Sequence, residues 1–312
     1  MNTERTTAGS ASFEGDLLVR LTNRWGKRVA VKRDELDLDG HFDPRLPDFP
    51  DHLVPPLRLP DAATLPEEAR TVMRAASWIA YNAKTAAIEN EVILPACRLM
   101  LEDDLPVRRD HTAVAALHQT IIDEHYHILM CHNAVGVTRR RRDLEDLDFH
   151  PSGWSVVQRL KEAKAGRGGV ERDLVSVAFA LAAETTINAF LSTLSTAESI
   201  QPMNRMTVDL HRRDESGHAV VFRELVGALY RELEMEQREL FCEALVAGLD
   251  AFRAPDFEPW VTVADRGGLA LSAGQLAAAA PPPLPRNTGP LQLLLADLGL
   301  TEELGERIGI ER

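Results

Sequence analysis

The stretch "LVSVAFALAAETTINAFL", residues 174–191, holds a single ionisable side chain, Glu184. Val177, Ala180, Ile187 and Leu191 surround it at helical spacing, and a helix apolar on every side is a buried one. Burying a lone ionised carboxylate costs far more than a helix recovers, so the fold must bring Glu184 a partner.

Two other segments supply partners of one kind. "IIDEHYH" at 121–127 and "RRDESGH" at 212–218 each contain D-E-x-x-H, on two separate expected helices. Glu at i and His at i+3 face the same way, which gives each helix one oxygen and one nitrogen donor for a divalent metal. In the longer stretch "HRRDESGH", His211, Glu215 and His218 lie at i, i+4 and i+7, so a third imidazole shares that face. One E-x-x-H pair is commonplace on solvated helices. Two copies beside a buried Glu184 are not.

Two such helices with one Glu from each of two others make the carboxylate-bridged di-metal site of ferritin-like bundles. The remaining carboxylate must come from "TAAIENEV", where Glu89 and Glu91 point about 200° apart on a helix. Glu91 falls in line with Lys84 and Arg98 on a solvated stripe, whereas Glu89 shares its face with Thr85, Ala86, Val92, Ile93 and Ala96. Glu89 is therefore the inward residue. The expected ligand set is Glu89, Glu124, His127, Glu184, His211, Glu215 and His218, with Glu124 and Glu215 as bridges. Four carboxylates and three imidazoles suit two iron or manganese ions. Asp123 and Asp214, each preceding a ligand Glu, are either exposed helix charges or acceptors for the ring N–H of a ligand histidine on the facing helix; the paired repetition favours the second. His125 and His132 lack a repeated placement and are expected at the surface or in loops. Tyr81 and Asn188 are candidate substrate contacts. Each has a structural reading as well, Tyr81 with Trp78 as a core aromatic and Asn188 as a satisfied core amide.

The rest of the chain is expected to be all-α: a ferritin-like helical bundle with the di-metal site in its core. Helical patterns cover 65–102, with Pro66 near the start and Pro95 as a kink, then 107–135, 172–199, 203–230 and 235–252. Residues 1–60, rich in Pro, Asp and Arg, form an extended N-terminal arm; 61–255 form the metal-binding bundle; 256–290 are a Pro-rich linker; and 291–312 form a short C-terminal helical tail. With 312 residues, 45% of them hydrophobic, the chain can bury a sizeable core. A net charge of −13 argues against nucleic acid and anionic membranes as partners. The one basic run, Arg139 to Arg142, abuts "DLEDLD" and reads as a loop that neutralises its own charge. Three cysteines, an odd number without C-x-x-C spacing, fit a reduced cytoplasm, and no apolar run is expected to reach membrane length.

The order Glu89, Glu124-x-x-His127, Glu184, His211-x-x-x-Glu215-x-x-His218 resembles the p-aminobenzoate N-oxygenase family of non-heme diiron enzymes, over residues 65–230. His211 is the specific mark, since generic ferritin-like proteins lack it. The resemblance implies a cytoplasmic, homodimeric oxygenase of natural-product biosynthesis. Such an enzyme uses two irons and dioxygen to oxidise the nitrogen of an arylamine to hydroxylamine, nitroso or nitro products. No G-x-G-x-x-G fingerprint is present, so electrons would come from a separate reductase or carrier. No cation or amide that would hold a benzoate carboxylate can be matched, which leaves a neutral or larger amine, free or carrier-bound, equally open as substrate. A diiron hydroxylase or desaturase acting on carbon is the main alternative, and a ferritin-like iron-binding protein the lesser one.

Overall fold

In the computed structural model, residues 7–102, 104–150, 153–279, 289–301 and 304–305 are described, with side chains for all of these except 7–16 and 279. Among them there is no strand, as expected. Helix α1 spans Thr7–Arg28, and α2 runs over Glu67–Ile88 directly after Pro66. At Pro95 the hydrogen-bond ladder cannot continue, because proline has no N–H to offer Glu91 and its ring crowds that carbonyl. The chain absorbs the misfit in a π-helical turn, Glu89–Ile93, closed by the Leu94 N–H on the Glu89 carbonyl, before α3 (Leu94–Leu101) resumes. Such turns recur at functional sites. Here the turn begins on Glu89.

Helix α4, His111–Arg142, starts where the Asp110 carboxylate accepts from the Thr112 and Ala113 amides at 2.9 and 3.1 Å, and stops at Asp143 in a left-handed conformation (φ 53°). Helix α5 covers Ser155–Lys164, α6 Gly169–Ser195, and α7 Pro202–Glu232, with Pro202 in the first turn where a missing N–H leaves nothing unpaired. Helix α8, Met235–Arg253, begins in a reciprocal box between Glu234 and Gln237. Helices α9 (Phe257–Arg266), α10 (Ala273–Ala279) and α11 (Gly289–Asp297) follow.

Helix α6 is the axis of the core, packed on α7 and α8, while α2 packs on α4, α4 on α7, and α3 on both α4 and α6. The unit α2–π turn–α3 therefore combines with α4, α6 and α7 into four helical walls. Helix α8 backs α6, α5 covers α8, and α1 lies across α4 and α7 from outside. Contrary to expectation, α6 is long and apolar enough to cross a membrane, but 72% of its apolar stretch is buried inside the bundle, as befits a core helix.

Three expectations need correction. Residues 1–60 are not extended throughout: Leu18, Leu21 and Trp25 recur at helical spacing, and burying that stripe on α4 and α7 makes 7–28 a helix. Only the Pro-rich part behaves as an arm, in short 3-10 turns (Ala30–Lys32, Asp51–Leu53, Pro55–Arg58, Pro60–Thr64). The basic run is not a loop but the last turn of α4, where arginines complement the helix C-terminus and hold the arm down. Arg140 and Arg141 pair with Asp39, while Arg142 reaches buried Asp48 at 2.8 Å and the Leu46 carbonyl at 2.9 Å. The 256–290 segment is not all linker either, since α9 docks on α2 and α10 follows it; residues 280–288 lie outside the described residues. The tail is helical over α11, with Leu291, Leu294 and Leu295 buried against α6 and α7; 306–312 lie outside the described residues.

Candidate metal centre

All seven expected donors are buried and lie on the four walls: Glu89 on the π turn, Glu124 and His127 on α4, Glu184 on α6, and His211, Glu215 and His218 on α7. Their atoms form two overlapping quartets, Glu89/His127/His211/Glu215 and Glu124/His127/Glu215/His218, each with its ligand atoms within 4.8 Å of one another. His127 belongs to both, and so does Glu215. Its Oε1 lies 3.0 Å from His211 Nε2, 3.3 Å from His127 Nδ1 and 3.5 Å from His218 Nδ1. Glu89 Oε1 is 3.3 Å from His211 Nε2, and the Glu124 charge acts on Glu89 as well. Glu184 falls outside both quartets, but the Glu215 and Glu124 charges act on it. Glu91, by contrast, is only half-buried and bonded to Asn90.

The histidines are wired across the bundle. His127 Nε2, on α4, lies 3.3 Å from Asp214 Oδ2 on α7, and His218 Nε2, on α7, lies 3.2 Å from Asp123 Oδ2 on α4. An acceptor at Nε2 selects the tautomer with its proton there and leaves the Nδ1 lone pair facing the carboxylates. Both aspartates are buried. Their other donors come from α1 and the residues after it, which the sequence reading missed: Trp25 Nε1 donates to both Asp123 oxygens at 3.0 and 2.9 Å, and the Ala30 amide to Asp214 Oδ2 at 3.1 Å. The 18–21–25 stripe would have signalled a helix docked here, though not its hydrogen bonds.

The residues fit a pair of cations. Both Glu184 oxygens are buried without a hydrogen-bond partner, and so are Glu124 Oε1 and His218 Nδ1, which sit 2.8 Å apart but not in hydrogen-bonding geometry. Four carboxylates so confined cannot all stay ionised without added positive charge. Burial, and then the Glu124 and Glu215 charges, push Glu89 and Glu184 well above the usual carboxylate range. Burial works the same way on Glu124 and Glu215 but is overcome by His218 and its neighbouring imidazoles, so both are lowered. Against burial, Asp214 with Glu124 raises His127, and Glu124 with Glu215 raises His218. Burial and the adjacent His127 lower His211, whose ring centre is 4.1 Å away.

Of the candidate substrate contacts, Tyr81 is ringed by Phe49, Trp78 and Phe190 with centroids at 5.9, 5.5 and 5.5 Å, and burial raises its hydroxyl above the usual phenol range. Asn188 spans the α6–α7 seam, donating to Ser216 Oγ at 2.9 Å and to the Arg212 carbonyl at 3.3 Å. Lys84 is engaged with Asp256. His125 and His132 are exposed.

A helical bundle whose four walls converge on buried Glu and His, two of the helices carrying E-x-x-H, defines the carboxylate–histidine di-metal class. Within it, a family model described as P-aminobenzoate N-oxygenase AurF matches residues 13–287. The 4-aminobenzoate N-oxygenase of Streptomyces thioluteus is 30% identical over 255 residues, covering 81% of this chain and 76% of that protein. The chain belongs to the p-aminobenzoate N-oxygenase family, and it is an oxygenase, an oxidoreductase.

Proposed function

We propose that this chain is a non-heme diiron enzyme that uses dioxygen to oxidise the nitrogen of an arylamine. The observation that carries the reading is the pair of buried quartets, completed by Glu184, in a member of a family named for N-oxygenation. Two bound irons would supply the activation of dioxygen, which amino-acid side chains cannot provide. The chain's own part is to hold and orient them. Glu89, His127, His211 and Glu215 would serve one iron, Glu124, His218 and Glu215 the other, and Glu184 lies beside Glu215. Asp214 and Asp123 keep the ring protons of His127 and His218 at Nε2, and the apolar wall of α6 excludes water from the site.

The aromatic cluster around Tyr81 is the better candidate for receiving an aryl ring, because it gathers the π faces of Phe49, Trp78 and Phe190 around one side chain. Asn188, already bonded across the seam, is the weaker one. Since Lys84 is paired with Asp256, it supplies no anchor for a benzoate carboxylate, and a neutral or larger arylamine, free or carrier-bound, fits as well as 4-aminobenzoate. A separate electron donor, a homodimeric assembly and a cytoplasmic location belong to the same reading, as does a role in antibiotic biosynthesis.

The test is iron reconstitution followed by elemental analysis, then incubation of the reduced protein with oxygen and a panel of arylamines, products being read by mass spectrometry. Two irons per chain and hydroxylamine, nitroso or nitro products are expected. One zinc per chain with no iron uptake would sink the proposal.

A further inference from the structure

We infer that the short segment closing α1, Trp25 to Ala30, is a positioning element of the metal centre, acting on both iron sites through Asp123 and Asp214. The inference rests on the metal reading above.

Asp123 and Asp214 are buried carboxylates, and each must be held by donors. A histidine N–H alone would leave such a carboxylate free to turn about its last torsion, and the imidazole would turn with it. Trp25 prevents this at Asp123. Its Nε1 lies nearly equidistant from the two oxygens, at 3.0 and 2.9 Å, on a carboxylate whose Oδ2 also faces His218 Nε2 at 3.2 Å. On the other side of the pair, the Ala30 amide and His127 Nε2 meet at the same oxygen, Asp214 Oδ2, at 3.1 and 3.3 Å. Arg28 adds its guanidinium, 3.8 Å from Asp214 Oδ1 and donating to the Arg213 carbonyl at 3.0 Å. One stretch of chain, remote in sequence from every ligand, thus supplies donors to the carboxylates behind two of the three imidazoles.

A feature of α7 points the same way. Gly217 sits inside the helix, where glycine costs roughly 1 kcal/mol relative to alanine. A Cβ there would come within 2.6 Å of Arg28 Nη2 and 2.9 Å of its Cζ. The missing side chain is the seat of the Arg28 guanidinium.

Trp25→Phe in the full-length chain keeps the ring on α4 and removes the N–H. Groups hydrogen-bonded behind metal ligands typically contribute about 10- to 100-fold to metal affinity, and Trp25, one bond further out, is expected to fall near the lower end, about 10-fold. The probe is Co2+, titrated in competition with a chelator, alongside the melting temperature of the metal-free protein. Weaker Co2+ binding with an unchanged metal-free melting point supports the inference; unchanged Co2+ affinity overturns it. If Trp25→Phe does not fold, the wild-type chain decides. By reciprocity, metal must then tighten the docking of α1, so amide exchange in residues 25–30 should slow on Co2+ loading while exchange in 257–266 stays the same. No added protection at 25–30 overturns the inference. A wild-type chain that takes up no Co2+ overturns the metal reading itself, a result distinct from normal uptake that is indifferent to Trp25.

Discussion

His211 Nε2 stands 3.3 Å from Glu89 Oε1, joining the π turn between α2 and α3 to the middle of α7. His211 faces the carboxylates through Nε2, whereas His127 and His218 face them through Nδ1 and commit Nε2 to aspartate. It is thus an addition to the repeated E-x-x-H pattern, and its removal leaves that pattern whole.

His211→Ala should accordingly retain metal, because six donors remain, as in ordinary ferritin-like sites. Activity should fall by more than iron content does, since one iron loses a neutral nitrogen donor and with it its coordination number and redox balance. Rapid mixing of the reduced variant with oxygen, then with arylamine, reads both steps. Wild-type rates in both would show that His211 is not a functional ligand, and oxidation at carbon would then rank level with N-oxygenation.

Glu89→Ala should abolish iron binding or turnover, and Glu91→Ala should leave both largely intact. Glu89 is buried between Glu124 and His211, while Glu91 is half-buried and bonded to Asn90. Iron content and turnover of the two variants check this, and equal losses would mean that the inward face of the π turn has been misread.

Metal uptake should release protons. In the metal-free protein burial and neighbouring carboxylates raise the proton affinity of Glu89 and Glu184, and carboxylates raise that of His127 and His218, yet each of the four must be without its proton at the ligating atom to act as a ligand. Both kinds of group carry raised proton affinities, so apparent metal affinity rises with pH through neutrality. Calorimetry of Co2+ binding in buffers of different ionisation enthalpy should show net proton release on binding. A count near zero would place the metal elsewhere.

Arg142→Met should destabilise the fold by about 3–5 kcal/mol at neutral pH, the usual loss when a buried ion pair loses one partner. Arg142 is the ion-pair partner of Asp48, whose carboxyl burial pushes from 3.8 to about 6 even with the arginine present. The folded state binds that proton more tightly than the unfolded chain does. The Asp48 contribution is therefore most favourable at low pH and is lost as pH rises through about 6. Without Arg142 the deficit should shrink on acidification, which urea titrations at two pH values would reveal.

The inward faces that carry the clustered Glu and His were legible from residue spacing alone because helical periodicity is local: two D-E-x-x-H copies, a lone Glu184 and the choice of Glu89 over Glu91 all follow from 3.6 residues per turn and the cost of a buried charge. The π turn was half legible. Pro95 announces a break in the ladder, but whether the helix kinks or inserts an extra residue depends on the packing around it, and only the fold shows the break relieved over Glu89–Ile93. What periodicity could not reach were contacts between segments distant in the chain. The turn of α4 that carries Arg139 to Arg142 reads as a loop until Asp39, Asp48 and the carbonyls of the arm arrive beside it. Helix α1 reads as part of a Pro-rich arm until α4 and α7 offer its apolar stripe a groove. Spacing suggested that Asp123 and Asp214 serve the facing histidines; that Trp25 and Ala30 stand behind them was decided by tertiary packing, since a hydrogen bond between segments far apart in sequence leaves no periodic trace in either one.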